Sequence, residues 1–530
     1  MHHRNRFRLE SLGIFVFALL LFTLGIWDQQ PQGFDGRWAL FLQEMFRHGA
    51  SLFSTTYGQP YADYPGTATF LSYLFARLFG APNHLANVLP TALASAAVVA
   101  LIYRLLMPSN RQWALLSVLL TLLTTQLLEK SRSVCLDQMV ALLCVASFYL
   151  LHSGGRWRRL AVFPLFILGF AIRGPLGLIE VCGVVCVYWA LGKPGERVKQ
   201  VLIHGVAGLV LLAACWWLLV KLARISGGDA FADEVFKMQV GGRLDETGEP
   251  FYFYFQLSLY RYFPVVPLAL ATMIALRHRW AERFAGDIHM VMRLGACGLI
   301  ILLGLSVPHF KRAYYILPMV PMFAAVAAYG LLQAQGWLVG MRRCYEGLVV
   351  ALPALCVVVM FVCRQAWQKH GYWPDVSLPL LIGVLVVLQV AALVAWRRAA
   401  RLVWLSLIAL VAQWLLLVTV VEPAKDLQFD TRQFVSQVEA LRAAQPGPLV
   451  FVELGRDTWA VRYMMNLDHD EQPIFIASNE LERLRSLPRP IWVIVARKDA
   501  ALLPGTPLER LKPNFEGRLN DNPLRVFLLE

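Results

Sequence analysis

The stretch AVFPLFILGFAIRGPLGLIEVCGVVCVYWALG, residues 161–192, decides the fold class. Its apolar residues continue for about thirty positions, whereas one untilted helix needs only about 20 to cross a hydrocarbon core. Arg173, Gly174 and Pro175 interrupt the run near its middle. The interruption predicts a hairpin of two membrane-spanning helices with a cation at its tip.

Comparable apolar runs recur along most of the 530 residues. The chain is 58% hydrophobic and 16% charged, whereas a soluble protein carries about 25% charged residues. The first run follows a basic N-terminus as in a signal peptide, but no small-residue cleavage site follows it, so we expect a retained helix. The sequence predicts a polytopic α-helical membrane protein with about 13 transmembrane helices. The predicted spans are 11–27, 84–106, 112–128, 138–152, 160–172, 175–191, 201–221, 257–276, 290–307, 313–333, 346–364, 377–396 and 402–421.

The basic residues indicate how the chain is oriented. The net charge is +14, but the Lys and Arg residues cluster in short loops between spans, which argues against nucleic-acid binding. If the N-terminus lies on the inner side of the membrane, every one of these basic loops lies on the inner side as well. This requires that residues 66–80 form an interfacial helix and not a span. The segment after Val421 is then predicted to lie outside.

A second set of charges lies near membrane ends on the predicted outer side, where the loop rule does not account for them. Charges beside a membrane are costly unless they are paired or used, so we treat these as one candidate site. Its members are Asp35, Arg37, Asp63, Arg132, Asp137, Arg173, Lys311 and Arg312.

Asp35 opens the segment GFDGRWALFLQEMFRHG, residues 33–49. An apolar stripe with helical spacing follows it, at Trp38, Phe41, Leu42 and Met45. Asp35 stands where an N-cap belongs, and Gly49 stands where a C′ glycine would end the helix. Asp35 is therefore either a helix cap or a general base at the membrane surface, and the two roles are compatible.

The other two outer carboxylates have local alternatives as well. Asp63 precedes Tyr64 and Pro65, so it could be a turn residue. Asp137 stands at the outer start of a span, where an aspartate could simply cap the helix.

The outer cations suggest an anionic ligand. Arg173, Gly174 and Pro175 suit a phosphate because glycine lets backbone N–H groups approach an anion, although a lone snorkelling arginine is the alternative. Lys311 and Arg312 violate the positive-inside rule most strongly, and they could neutralise a lipid phosphate.

The tail differs in composition, because Asp, Glu, Arg and Pro become frequent from Glu422 onward. Residues 448–455, 472–478, 489–496 and 522–530 are typical of short buried strands, and residues 457–467 and 479–487 are typical of helices. This alternation predicts a small C-terminal α/β soluble domain over residues 422–530. No GxGxxG or P-loop motif follows a strand, so nucleotide binding is not predicted.

Several motifs occur in the order found in a known family: FDGRWALFLQEMFRHG, YADYPGTATFLSYLFARLFG, SRSVCLDQMVALL, LGFAIRGPLGL, GEPFYFYF and KRAYYILPMVP. They resemble bacterial relatives of the dolichyl-phosphate-mannose protein mannosyltransferases, a group that includes the lipid A aminoarabinose transferases. The resemblance implies a GT-C-type membrane glycosyltransferase that takes a sugar from a polyprenyl-phosphate carrier at the outer face of the bacterial inner membrane.

The resemblance also implies roles for individual residues. The family's first-loop aspartate corresponds to Asp35, the aspartate after its third span to Asp137, and its Lys-Gly-Pro hairpin to Arg173, Gly174 and Pro175. We therefore expect catalytic roles for two residues, Asp35 and Asp137. We expect substrate-binding roles for Arg37, Asp63, Tyr64, Arg132, Arg173, Lys311 and Arg312.

Two departures limit what the resemblance implies. Aminoarabinose-type members carry a lysine and two prolines where this chain has Tyr64, Pro65 and Gly66, which argues against aminoarabinose and lipid A as substrates. Some members hold a divalent metal with a histidine of the outer loops, but residues 222–256 contain no histidine. Neither a metal nor a cofactor is predicted.

The predicted function is inverting transfer of a sugar from a polyprenyl-phosphate donor to a lipid, glycan or protein acceptor on the periplasmic face. The predicted catalytic unit is residues 1–421, with outer loops at 28–83 and 222–256, and the periplasmic domain is residues 422–530. The alternatives are a lipid-linked sugar transporter or flippase and a non-catalytic envelope assembly protein. A transporter would place polar sites near the midplane between repeats, and the sequence shows neither feature.

Overall fold

The fold is described from a computed structural model of the chain. It describes residues 2–33, 35–241, 248–277, 279, 286–333, 335–502, 508 and 511–530, without the side chains of residues 2–6, 64, 240 and 500–502. Residues 242–247 of the predicted outer loop, and the side chain of the predicted site residue Tyr64, lie outside this description.

Helices dominate the first four fifths of the chain. In order they are α1 (His2–Thr23), α2 (Asp35–His48), α3 (Thr67–Phe79), α4 (His84–Leu106), α5 (Arg111–Leu123), α6 (Thr125–Lys130), α7 (Leu136–His152), α8 (Arg156–Leu160), α9 (Val162–Arg173), α10 (Pro175–Ala190), α11 (Pro194–Phe236), α12 (Phe253–Tyr260), α13 (Val265–Leu276), α14 (Gly286–Ser306), α15 (Val320–Leu332), α16 (Leu338–Gln368), α17 (Leu378–Ala395) and α18 (Arg401–Leu416). Two further helices, α19 (Glu422–Gln428) and α20 (Arg432–Ala444), lead into the tail.

Each predicted span falls on one of these helices or on an adjacent pair, and the predicted hairpin at Arg173 forms the junction of α9 and α10. Within the described residues, six helices are long and apolar enough to cross a membrane, and the bent pair α12 and α13 would make a seventh. Shorter apolar helices account for other predicted spans, so the predicted number of about thirteen is not confirmed by length alone. The chain is a multi-pass membrane protein, as predicted.

The segment between α1 and α4 forms a small outer layer. Helix α2 buries the predicted apolar stripe, and Gly49 ends it with a φ of +92° and a bond from its N–H to the carbonyl oxygen of Met45 (2.9 Å). Strands β1 (Phe53–Thr56) and β2 (Gln59–Pro65) then pair antiparallel around Tyr57 and Gly58. Both turn residues have positive φ, as a tight hairpin requires, and the sequence did not predict this hairpin.

The tail contains a five-stranded sheet. Its strands are β3 (Leu449–Val452), β4 (Ile474–Ile476), β5 (Ile491–Ala496), β6 (Phe515–Leu519) and β7 (Asn522–Leu529), in the order β4-β3-β5-β7-β6. Strand β3 pairs parallel with β4 and β5, whereas β5–β7 and β6–β7 are antiparallel. Every residue of β3 and β5 is buried because both faces of the sheet are covered. The predicted small C-terminal domain is confirmed, with β6 as a strand that the sequence did not predict.

One face of this sheet packs onto the outer layer of the membrane part. Leu40 of α2 and Tyr57 of the hairpin belong to the same apolar cluster as Phe451 and Met465 of the tail. A Cβ atom at Gly36 would lie only 3.0 Å from the sulfur of Met465, so the start of α2 and the tail are in close contact here. The C-terminal domain therefore lies directly against the helix that begins at Asp35.

Candidate active site

Asp35 is the first residue of α2, and it is 7% exposed. Its carboxylate Oδ2 accepts a hydrogen bond from the backbone N–H of Val134 at 3.3 Å, in the segment that joins α6 to α7. The contact is with a residue 99 positions away, so Asp35 joins two distant parts of the chain in addition to starting a helix.

The environment of Asp35 changes its acidity. Burial raises the pKa of its carboxyl to about 6, although the nearby Lys130 ammonium and the N–H of Val134 oppose part of the shift. A carboxyl group with this pKa is mostly ionised at neutral pH. Its pKa is also close enough to neutral pH for the group to accept a proton effectively.

Asp137 and Arg173 form a buried ion pair between α7 and α9. Arg173 Nε donates to Asp137 Oδ1 at 3.0 Å, and their side chains are 4% and 1% exposed. The guanidinium carbon also lies 4.4 Å from the centroid of the Tyr315 ring. Gly174 has a φ of +66°, which lets the chain turn directly from Arg173 into Pro175, the first residue of α10. The predicted hairpin therefore presents its cation inward, toward Asp137.

Arg37 and Asp63 form a second pair on the outer layer. Arg37 Nη2 lies 3.6 Å from Asp63 Oδ2, and Arg37 Nη1 donates to the Tyr61 hydroxyl at 2.7 Å. Gln239, three residues after the end of α11, donates to Asp63 Oδ1 at 3.1 Å. Asp63 lies within β2 and is held from two sides, so it is not the turn residue that the sequence allowed.

These residues surround one cavity of about 280 Å³. Five of the predicted site residues line it: Arg37, Asp63, Asp137, Arg173 and Arg312. Aromatic and apolar side chains complete the wall, among them Trp38, Phe310, Tyr314 and Tyr315. The cavity brings three guanidinium groups together, so we call it the arginine cavity.

Lys311 and Arg132, like Asp35, do not line the arginine cavity. Lys311 is buried, and its Nζ donates to the carbonyl oxygen of Glu249 at 2.7 Å, so it fixes the neighbouring loop. Arg132 donates through Nε and Nη2 to both carboxylate oxygens of Glu422, at 2.6 and 2.7 Å, and to the carbonyl oxygens of Leu21 and Leu24. These contacts indicate that Arg132 joins α1 to the tail.

Asp35 faces a larger cavity of about 590 Å³ between the membrane part and the C-terminal domain. We call it the interdomain cavity. It shares Val134, Cys135 and Tyr314 with the arginine cavity, so the two spaces meet at this wall. Tail residues line its far side, including Thr458, Trp459 and Arg462. The sequence did not predict that Lys130 and these tail residues would line the cavity. For Lys130 the only available signal was its position two residues before Arg132, and the tail residues carried no such signal.

An apolar groove of about 490 Å³ lies between the outer layer and the membrane helices. Its lining includes Phe70 of α3, Ile167 and Phe170 of α9, and Leu218 and Leu222 of α11. Helix α9 therefore contributes to the groove and, three residues after Phe170, to the arginine cavity.

Within the described residues, no group of three or more His, Cys, Asp or Glu side chains is arranged to hold a metal ion.

A family model matches part of the chain. Residues 63–219 match the family model described as dolichyl-phosphate-mannose-protein mannosyltransferase. A search of curated proteins finds no match.

Solved structures extend the similarity to the whole chain. ArnT from Cupriavidus metallidurans, bound to undecaprenyl phosphate, is 14% identical with a TM-score of 0.68, and 99% of this chain and 98% of that chain are covered. For the apo state of the same protein, the sequence identity is 13% and the TM-score is 0.72, and 98% of each chain is covered. The Archaeoglobus fulgidus oligosaccharyltransferase AglB, in complex with an inhibitory peptide and a dolichol-phosphate, gives 12% identity and a TM-score of 0.51, covering 94% and 71%. The family model supports the predicted resemblance over residues 63–219, and the solved structures confirm the predicted fold class.

Proposed function

We propose that the protein is an inverting glycosyltransferase that moves a sugar from a polyprenyl-phosphate donor to an acceptor at the periplasmic face of the inner membrane. The observation that carries the proposal is the position of Asp35. Its buried carboxyl group, with a pKa of about 6, faces the interdomain cavity beside the wall shared with the arginine cavity. A proton acceptor and an anion-binding space are thereby adjacent.

In the proposed reaction Asp35 accepts the proton of an acceptor hydroxyl group. The acceptor oxygen attacks the anomeric carbon, and the bond between that carbon and the phosphate oxygen of the donor breaks. The polyprenyl phosphate leaves with the bonding electron pair, and a single displacement of this kind inverts the anomeric centre. Positioned base catalysis contributes about 10²–10⁴-fold to the rate.

The arginine cavity would hold the donor phosphate. Arg173, Arg37 and Arg312 line it, and a leaving phosphate that is already anionic needs positive charge more than a proton donor. Asp137 holds the guanidinium of Arg173 through a buried ion pair, so we assign it a positioning role. Asp63, whose Oδ2 lies 3.6 Å from Arg37 Nη2, would help to position that guanidinium group.

The apolar groove would hold the polyprenyl chain. Its lining is apolar along α9 and α11, and α9 continues from the groove to Arg173, which would place a phosphate at the end of a bound chain. The ArnT structure with a similar fold binds undecaprenyl phosphate, which supports a carrier lipid of this type. Lateral entry from the bilayer explains why such an enzyme is embedded in the membrane.

We further propose that the N-terminus is cytoplasmic and that residues 422–530 are periplasmic. Basic loops on the opposite side of the membrane from Asp35 support this orientation. Arg132 receives a structural role in this proposal because its hydrogen bonds tie α1 to Glu422.

The test is direct detection of sugar transfer by the purified full-length protein. Radiolabelled polyprenyl-phosphate sugar and acceptor come from membrane extract of a cognate strain, and the anomeric configuration of the product is determined by NMR. Transfer with inversion supports the proposal. Movement of the intact lipid-linked sugar across a vesicle membrane without transfer would establish a flippase instead.

A further inference from the structure

Arginines gather where α16 begins, α17 ends and α18 begins, at the end of the membrane part opposite Asp35. Tyr372, four residues after α16, accepts a hydrogen bond from Arg518 Nη1 of the tail at 2.8 Å, so α16 ends on the same side as the tail. Helix α16 contains 31 residues and is about 46 Å long, which places its first residues at the opposite membrane end. The reaction above uses none of the groups there.

One buried carboxylate holds two of these arginines together. Glu346 Oε1 accepts hydrogen bonds from Arg342 Nε of its own helix at 2.9 Å and from Arg401 Nε of α18 at 2.8 Å. The Glu346 side chain is 4% exposed, whereas those of Arg342 and Arg401 are 24% and 38% exposed. The Tyr345 hydroxyl lies 2.6 Å from Ser406 Oγ and ties the same two helices. The two guanidinium groups are therefore fixed side by side at the protein surface.

Both guanidinium groups keep donors for a ligand. Each uses its Nε for Glu346, and within the described residues no Nη group of either arginine donates to a protein acceptor. Three further exposed arginines lie within four residues of these two along the chain, at positions Arg343, Arg397 and Arg398. Residues 337–346 and 396–404 contain five arginines and one acidic residue. Positive charge therefore remains after the ion pairs with Glu346 are formed.

The surroundings of the arginines fit a lipid. Three exposed tryptophans flank them: Trp337, Trp396 and Trp404. Tryptophan is enriched at the level of the lipid headgroups, so the arginines lie at that level. From there α17 presents an exposed apolar face toward the bilayer interior, formed by Val386, Val387, Val390, Leu393 and Val394. A molecule that contacts both surfaces needs an anionic head and apolar chains.

We propose that Arg342 and Arg401 bind the phosphate of an anionic phospholipid in the leaflet opposite Asp35, with its acyl chains along α17. Arginine donates two parallel N–H groups to phosphate oxygens, and guanidinium groups already fixed by a carboxylate lose little freedom when they bind. Basic pockets between transmembrane helices bind anionic headgroups in this way. Arg397 and Arg398 add positive charge at the rim. The proposal does not depend on the proposed function, because no residue of the two cavities takes part.

The first test measures lipid selectivity. The full-length protein in detergent is titrated with phosphatidylglycerol or with phosphatidylcholine, whose phosphate is balanced by choline, and bound lipid is counted by native mass spectrometry. We expect the wild type to retain phosphatidylglycerol preferentially. Arg401→Gln should weaken that binding about tenfold, because it removes a charge-assisted hydrogen bond and leaves Arg342 to pair with Glu346. Equal retention of the two lipids by the wild type would overturn the proposal.

A control must separate a built site from general surface charge, because basic loops at this membrane end follow the positive-inside rule. Arg156 and Arg158 of α8 provide it. They are exposed and flank the exposed Trp157. Helix α8 follows α7, which runs from the arginine cavity at Asp137 to the same membrane end.

Two double variants make the comparison. Arg397→Gln with Arg398→Gln should weaken phosphatidylglycerol binding about 5–25-fold, whereas Arg156→Gln with Arg158→Gln should stay within about twofold of the wild type. Among the described residues, neither pair forms an ion pair with Glu346, so both variants should fold like the wild type. Equal losses in the two variants would show that the lipid follows general surface charge, and the proposal would fail.

Thermal unfolding distinguishes a lipid from a free anion and from a purely structural ion pair. Phosphatidylglycerol should raise the Tm of the wild type, because a ligand that binds only the folded state stabilises it, and should raise that of Arg401→Gln less at the same concentration. Inorganic phosphate should leave the Tm unchanged. An equal shift with inorganic phosphate would identify a free-anion site, and an undiminished lipid-dependent shift in Arg401→Gln would show that Arg401 only pairs with Glu346. Either result overturns the proposal.

Discussion

Arg173 and Asp137, which lie 36 residues apart, meet in a buried ion pair with an Nε–Oδ1 distance of 3.0 Å. The pair joins the end of α9 to the first turn of α7 and holds a guanidinium group at the wall of the arginine cavity. A buried pair of this kind contributes little net stability, but removing one partner leaves a charge buried without its counterion. It is therefore better suited to fixing the geometry of a site than to stabilising the fold.

This relationship predicts different results for single and double substitutions. Asp137→Leu should lower the free energy of unfolding by about 3–5 kcal/mol because Arg173 loses its carboxylate partner. Asp137→Leu combined with Arg173→Met should recover most of that loss and still show no transfer. Denaturant unfolding in detergent and the transfer assay measure the two quantities. A double variant that retains transfer would exclude Arg173 from donor binding.

The pH dependence of transfer follows from Asp35. A general base must be ionised, and burial raises the pKa of Asp35 to about 6, so the rate at low substrate should increase with pH up to about 6 and level off above it. Below that pH the rate should fall about tenfold per pH unit, since protonated carboxyl can no longer accept a proton. Initial rates between pH 4.5 and 8 measure this. A rate that stays constant down to pH 5 contradicts the assignment.

Arg132 should affect stability more than catalysis. Arg132→Gln removes the paired hydrogen bonds to Glu422 and leaves that carboxylate without its cation, so we expect a loss of about 3–5 kcal/mol in unfolding free energy. The rate of transfer by the folded protein should stay within about threefold, a change of under 1 kcal/mol. Glu422→Gln should show a similar loss of unfolding free energy and a similarly small change in the rate of transfer. A large loss of rate with unchanged stability would return Arg132 to the substrate site.

The sequence predicted the membrane architecture well because apolar runs and short basic loops are local signals. The stripe on α2 and the turn at Gly174 follow directly from residue spacing and glycine conformation. Of the eight outer charges that the sequence grouped as one candidate site, five line the arginine cavity, whereas Asp35, Arg132 and Lys311 do not.

The remaining features depend on contacts between distant segments. Arg132 and Glu422 are 290 residues apart in the chain, so no local sequence pattern predicts that they pair. Arg462 becomes a cavity residue only because the tail packs onto α2, and no pattern in the tail predicts that orientation. Strand β6 was missed because its first four residues alternate between partly buried and exposed positions at the edge of the sheet, and only Leu519 is buried.

The most direct measurement compares transfer by Asp35→Asn and by Asp28→Asn, an exposed aspartate in the same loop. Asparagine keeps the size of the side chain and removes the proton acceptor. We predict that Asp35→Asn loses transfer by about 10²–10⁴-fold while it folds and binds donor like the wild type, and that Asp28→Asn is unaffected. Wild-type activity in Asp35→Asn would contradict the account and reduce Asp35 to the start of a helix.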